Sequence, residues 1–159
     1  MTSSHADPLG RLKVAVWQEV YAGLMDARFL AGLTAEQSAG SWRELLERPW
    51  AGVRLVALAP GGELVGFGVA GPPQDDDPPT DWQLFALNLL PDARGTGVAD
   101  LLMEALVGTR DAALWVASGN QRAVAFYRAY GFELDGTEQC DDQFGVTELR
   151  MLRRATAPP

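Results

Sequence analysis

Cysteine and histidine are almost missing from this chain, which holds one of each in 159 residues, Cys140 and His5. A single cysteine excludes an intramolecular disulfide. A thiol nucleophile works beside a base. The one histidine stands in a polar N-terminal stretch, so Cys140 reads as an ordinary strand or loop residue. The same shortage of soft ligands argues against a zinc site, and no metal is expected. Long apolar runs are lacking too. None approaches the roughly 20 residues of a membrane-crossing helix, and residues 1–8 carry no apolar signal core. The expectation is a cytoplasmic protein that does not engage membranes. Positive charge is the minority, with 13 Lys and Arg against 21 Asp and Glu, a net charge of −8. Such a chain is a poor non-specific partner for nucleic acid, and its acidity suits a cationic partner such as an amine.

What the chain does hold is a large apolar share, 47% of its residues, enough for a packed core. Its length suits one domain over residues 1–159, with residues 1–9 and 154–159 read as disordered tails. Leu12, Val16 and Val20, beside Trp17, Tyr21 and Leu24, follow helical spacing. Gly23 and Asp26 mark a break. Thr34-Ala35-Glu36-Gln37 has the form of a capping box opening a second helix. Trp42, Leu45 and Leu46 are its apolar face, and Pro49 stops it.

The period then shortens to two. Residues 53–59 and 63–70 form a hairpin across Pro60-Gly61-Gly62. Residues 71–81, rich in Pro and Asp, are a surface loop. Its Asp75-Asp76-Asp77 run is a solvated stretch or an attractor of cations. The rest reads as a buried strand over 82–90, a helix over 95–107, a strand over 112–117 and a helix over 120–130 closed by Gly131. A strand starts at 132–134 and a last one covers 146–152. The order α-α-β-β-β-α-β-α-β-β implies a mixed α+β fold, a sheet with helices on its faces and at least one parallel pair bridged by a helix.

The chemistry concentrates at Leu89-Leu90-Pro91-Asp92-Ala93-Arg94-Gly95-Thr96-Gly97-Val98-Ala99. A buried strand runs into a loop with two glycines and then into a helix. Glycines let backbone N–H groups approach a ligand. A helix N-terminus adds unpaired donors and partial positive charge, so the segment suits a pyrophosphate. Asp100, in the first turn, favours the helix and slightly disfavours a phosphate. On its own the pair of glycines also suits an ordinary tight turn. There is no Gly-Lys-Ser/Thr P-loop, and the three-glycine dinucleotide fingerprint is incomplete.

Two motifs in order lend the chain its resemblance. Arg94-Gly95-Thr96-Gly97-Val98-Ala99 follows Pro91, and Asn120-Gln121-Arg122-Ala123-Val124-Ala125-Phe126-Tyr127-Arg128-Ala129-Tyr130-Gly131-Phe132 follows the next strand. Together they resemble the cofactor motif and the late Asn–Tyr helix of the GNAT N-acetyltransferases, which use acetyl-CoA. The likeness extends loosely over residues 12–152. It implies a central, mostly antiparallel sheet with a splayed parallel pair and about four helices. Residues 1–11 do not read as a strand, so the first strand of the family is expected to be missing.

The resemblance also implies roles. The backbone of Leu87, Asn88 and Leu89 would pair with the pantetheine arm. Arg94, Gly95, Thr96, Gly97, Val98, Ala99 and Asp100 would hold the pyrophosphate. Asn120 would contact the cofactor arm, and equally suits a helix N-cap. Tyr127 would contact the cofactor near its sulfur and protonate the leaving thiol, the bland alternative being a core aromatic. Tyr130 reads as a packing residue. Transfer would be direct, with no acyl-enzyme.

Where relatives place a glutamate base, this chain has Gln83 and Trp115; Asp81 and Glu148 are the fallback carboxylates, and water alone is the other option. Trp17, Tyr21, Asp26 and Trp42 are candidate acceptor contacts. The acceptor would be a small-molecule or peptide amine, and the protein a monomer or homodimer. The alternatives are a non-catalytic acyl-CoA sensor with the same fold, and a different nucleotide-binding domain.

Overall fold

The computed structural model describes residues 1–141 and 145–154. Helix α1 (Ala6–Val20) shows why the fold starts earlier than its polarity suggests. Ala6, Leu9, Leu12 and Val16 are all buried and pack against Trp42, Phe67 and Val69. Burying a leucine such as Leu9 contributes about 1.5–3 kcal/mol. Residues 1–9, expected as a loose tail, instead form a 3-10 turn over Ser3–His5 and the first turn of α1. Pro8 fits there because first-turn N–H groups have no intrahelical acceptor. Residues 155–159 of the expected C-terminal tail lie outside the described residues.

Gly23, with φ 78°, lies in the turn that follows α1. Asp26 does more than mark a break. Its Oδ1 accepts from the N–H groups of Arg28 and Phe29, both at 2.9 Å, capping a short helix α2 (Ala27–Gly32) that periodicity did not indicate. Helix α3 (Ala35–Glu47) opens where expected, and the Thr34 half of the capping box is present, with Thr34 Oγ1 accepting from Gln37 N–H at 3.2 Å. It crosses α1 closely at Gly10, where a Cβ would meet Ala35 O at 2.5 Å.

The strands are β1 (Val53–Leu58), β2 (Leu64–Gly71), β3 (Gln83–Leu89), β4 (Ala112–Ala117), β5 (Glu133–Asp141) and β6 (Val146–Arg153). They form one sheet in the order β1-β2-β3-β4-β6-β5. Every pairing is antiparallel except β3 with β4. Helix α4 (Val98–Leu106) makes the crossover between those two, and α5 (Gln121–Ala129) follows β4. The core is divided by the sheet. One face packs on α1 and α3 around Phe67 and Val69. The other packs on α4 and α5 around Leu84, Leu106, Leu114 and Phe132. Among the described residues no strand precedes α1, and no helix is long and apolar enough to cross a membrane.

Candidate active site

β3 and β4 run in parallel but part early. Their register partners are Gln83 with Ala113 and Leu84 with Leu114, and Ala113 N–H donates to Trp82 O at 2.9 Å. Beyond Leu84, among the described residues, β3 keeps β2 on one edge and has no partner on the other. The two strands diverge into a wedge that opens toward Leu89 and Ala117.

A β-bulge decides which groups line that wedge. Val69 pairs with Ala86 but Ala70 pairs with Leu84, so Phe85 is an extra residue. A bulge reverses strand parity. Phe85, Ala86 and Asn88 line a cavity on the α1–α3 face, while Leu84, Leu87 and Leu89 belong to the α4–α5 core. Leu90 N–H donates to Val65 O at 2.9 Å on β2. By alternation Asn88 also bonds toward β2, and Leu87 and Leu89 turn their N–H and C=O groups into the wedge.

The chain then passes a 3-10 turn over Pro91–Ala93 and a tight turn over residues 94–97. Gly95 has φ 74° and Gly97 φ 87°, a region costing other residues about 1–2 kcal/mol. Helix α4 therefore starts at Val98, with Gly97 as its cap, and not at residue 95. Nothing lies within 4 Å of where a Cβ on Gly95 would stand. The first-turn N–H groups of Val98, Ala99 and Asp100 carry the positive end of the helix. Thr96 Oγ1 closes the turn by donating to Ala93 O at 2.7 Å.

Two side chains of this segment are engaged elsewhere. The Arg94 guanidinium donates to both carboxylate oxygens of Glu19 on α1, and this bond holds the Glu19 carboxyl below its ordinary value. Asp100 accepts from the Tyr130 hydroxyl. Burial, then that bond, push the Tyr130 phenol up to about 12. Tyr130 packs on Phe126 as expected, 5.0 Å between ring centres, and also ties α5 to α4.

Asn120 caps α5, its Oδ1 accepting from Ala123 N–H at 3.1 Å. The helix ends at Gly131 with Phe132 N–H donating to Tyr127 O and Gly131 N–H to Arg128 O, the Schellman pattern. Tyr127 stands edge-on to Phe126 and Phe132. Burial, reinforced by Tyr21, pushes its phenol above the ordinary value. Tyr21, at the end of α1, is itself raised by burial and then by the charge of Glu148. Tyr127 on α5 thus feels Tyr21 at the end of α1, and Tyr21 in turn feels Glu148 on β6. Spacing along the chain carried no signal for this trio.

The carboxylate candidates stand at opposite ends of the wedge. Glu148 pairs with Ala117 in register, at the open end, and accepts from Gln139 Nε2 at 2.8 Å. Gln83 stands at the closed end, and Asp81 precedes it. The Arg150 guanidinium lies 5.7 Å from the Trp115 ring. Cys140 is exposed on β5, and His5 bonds locally to Thr2. Asp26 caps α2, Trp42 packs on Phe67 at 5.0 Å, and Asp75, Asp76 and Asp77 are exposed.

A six-stranded sheet with one splayed parallel pair, closed by a glycine turn that feeds a helix, defines the mixed α+β fold of GNAT type. The PaiA N-acetyltransferase of Thermoplasma acidophilum, solved with coenzyme A, is 17% identical with a TM-score of 0.72, over 97% of this chain and 95% of that one. A Corynebacterium glutamicum protein described as histone acetyltransferase HPA2 and related acetyltransferase is 22% identical with a TM-score of 0.67, over 99% and 95%. An acetyltransferase of Thermus thermophilus is 25% identical with a TM-score of 0.63, over 96% and 92%. No curated protein matches by sequence. The profile of the acetyltransferase (GNAT) family matches residues 17–132. The chain belongs to that family and is an acetyltransferase.

Proposed function

We propose that this enzyme transfers the acetyl group of acetyl-CoA directly to a primary amine, small-molecule or peptide, with both substrates bound at once. One observation carries the reading: the β3 edge at Leu87 and Leu89, unpaired on the wedge side, leads straight into the glycine turn. An extended pantetheine arm suits such an edge. A pyrophosphate suits the turn, where the glycines leave space and the backbone offers donors. Gly95, Thr96, Gly97, Val98, Ala99 and Asp100 would form this cradle. Arg94 would act through its grip on Glu19, and Asn120 both as cap and toward the cofactor arm.

Acetyl-CoA supplies a thioester whose carbonyl carbon is open to an amine. A nitrogen–carbon bond forms, the carbon–sulfur bond breaks, one proton leaves the amine and one reaches the sulfur. Leu87 and Leu89 N–H groups in the wedge would polarise the carbonyl, the kind of fixed donor that contributes most to such sites. Tyr127 would hold the proton for the thiol, since burial keeps it protonated throughout the neutral range. Glu148, near Tyr21 at the wedge mouth, is the carboxylate best placed to receive the amine proton.

The test is thiol release from acetyl-CoA with a panel of amines, alongside coenzyme A binding. Amine-dependent release is expected. Tight binding with no release from any amine would favour the acyl-CoA sensor. Stronger thermal stabilisation by ATP or NAD than by acetyl-CoA would favour another nucleotide-binding role.

A further inference from the structure

A cavity of about 370 Å³ opens on the α1–α3 face, beside the bulge of β3. Its walls are mostly aromatic and aliphatic, with Ser38, Ser41, Gln74 and Asn88 as neutral polar residues and Lys13 and Arg54 as its charges. Among the described residues, the buried side-chain polar atoms without a hydrogen-bond partner are Ser38 Oγ, Trp42 Nε1, Trp50 Nε1 and Arg54 Nε. All four residues line this cavity. Three of those atoms are donors only.

Lys13 adds an ammonium, 4.5 Å from the Trp17 ring centre. The Arg54 guanidinium lies 5.2 Å from that of Trp50. Among the described residues no Asp or Glu lines the cavity. Burial holds both Lys13 and Arg54 below their ordinary values, because it disfavours the charged form. In a chain of net charge −8, this is a local inversion of sign. Those four atoms are themselves covered, so the charges offered to a ligand are the Lys13 ammonium and the Arg54 guanidinium, which an acceptor-only group satisfies together.

The geometry points to this cavity as the acceptor subsite, taking a small amine that carries a carboxylate on an aromatic or apolar body, the chemistry of an α-amino acid. The assignment rests on the acetyl-transfer reading above. The carboxylate meets Lys13 and Arg54, and the body lies against the aromatic walls. Asn88 connects the cavity to the wedge, because it lines the one while Leu87 and Leu89 beside it face the other. The amine nitrogen bonds the acetyl carbon as the carbon–sulfur bond breaks, and the proton balance is the one already given. A simple cationic amine is repelled by the same two cations, against the expectation from net charge.

The test uses three amines of one shape: phenylalanine, phenylalaninamide and 2-phenylethylamine, each offered with acetyl-CoA and followed by thiol release. 3-Phenylpropionate, which has no amine, is titrated by tryptophan fluorescence and tried as an inhibitor. The expected kcat/KM for phenylalanine is about tenfold or more above the other two, because both lack the carboxylate that Lys13 and Arg54 pair with. 3-Phenylpropionate should bind and compete with phenylalanine. Lys13→Gln and Arg54→Gln should remove both the preference and that binding. Equal kcat/KM for the three amines, with no 3-phenylpropionate binding, overturns the carboxylate site and leaves acetyl transfer standing. A preference that survives both substitutions also overturns the assignment. Binding of 3-phenylpropionate that both substitutions abolish, with no thiol released from any amine, supports the carboxylate site and overturns the amine-acceptor reading instead.

Discussion

Arg94 meets Glu19 through two hydrogen bonds, of 2.6 and 2.8 Å, and so fastens the glycine turn to the last turn of α1. The motif arginine is therefore neutralised within the protein before any phosphate arrives. Glu19→Gln removes that neutralising charge. Coenzyme A should bind more tightly to the variant at low ionic strength, with the gap narrowing as salt screens it. Titration calorimetry at two salt concentrations checks this; weaker binding at both would mean that the pair serves mainly to position the turn.

Gly97 has φ 87° and caps α4. Gly97→Asp adds strain and a negative charge at the positive end of that helix. Coenzyme A affinity should fall about tenfold or more. Gly97→Ala, which adds strain alone, should fall less. Wild-type affinity in the aspartate variant would remove the turn from the cofactor site.

Tyr127→Phe deletes the proposed proton donor and keeps the ring contacts with Phe126 and Phe132. Turnover should drop about 100-fold while coenzyme A affinity barely changes. Because burial lifts the Tyr127 phenol above the ordinary value of about 10, loss of its proton should not limit wild-type turnover up to about pH 9. Steady-state kinetics across that range decides the matter. Unchanged turnover in the variant would reassign Tyr127 to packing.

Asn120→Ala removes the acceptor for Ala123 N–H and should cost about 1 kcal/mol of stability. Asn120→Ser restores a capping oxygen. If Asn120 also reaches the cofactor, the serine variant should regain thermal stability but not coenzyme A affinity. Full recovery of both by serine would leave the cap as its whole role.

Asp135 sits at the irregularity between β5 and β6, bonded by Arg150 Nε at 2.7 Å and by Thr137 N–H at 2.9 Å. Burial alone would raise its carboxyl, and the bonds from Thr137 and Arg150 outweigh burial and hold it low. A depressed folded value means stability present above the unfolded value of about 3.9 and lost as pH falls through the lower folded one. Arg150→Gln should cost about 0.5–1 kcal/mol at neutral pH. The difference in Tm from wild type should shrink as pH falls below about 4. A gap that persists in acid would assign the effect to lost packing on Trp115.

The legible parts of this molecule are the ones whose cause is local. Thr34 and Asn120 cap the helices that follow them, and Gly131 closes α5, because each satisfies backbone groups within a few residues. The start of the first helix is not legible, because Ser, His and Pro at residues 3–8 look like a tail. Only contact with Trp42 and Phe67 shows that Ala6 and Leu9 face a core. Nor is α2, because six residues are too few for a period to declare itself.

The same division holds at the site. Arg94 to Ala99 and Asn120 to Tyr127 are readable as a family signature, since the glycine φ values and the caps are demanded by short stretches of chain. What tertiary structure alone decided is where β3 leaves β4, how one extra residue at Phe85 turns Leu87 and Leu89 inward, and that Tyr127 feels Tyr21 while Tyr21 feels Glu148. It also gathered Lys13 and Arg54 into one cavity of a strongly acidic protein. Each depends on residues far apart in the chain, whose proximity comes from sheet order and helix packing, and no local spacing encodes it.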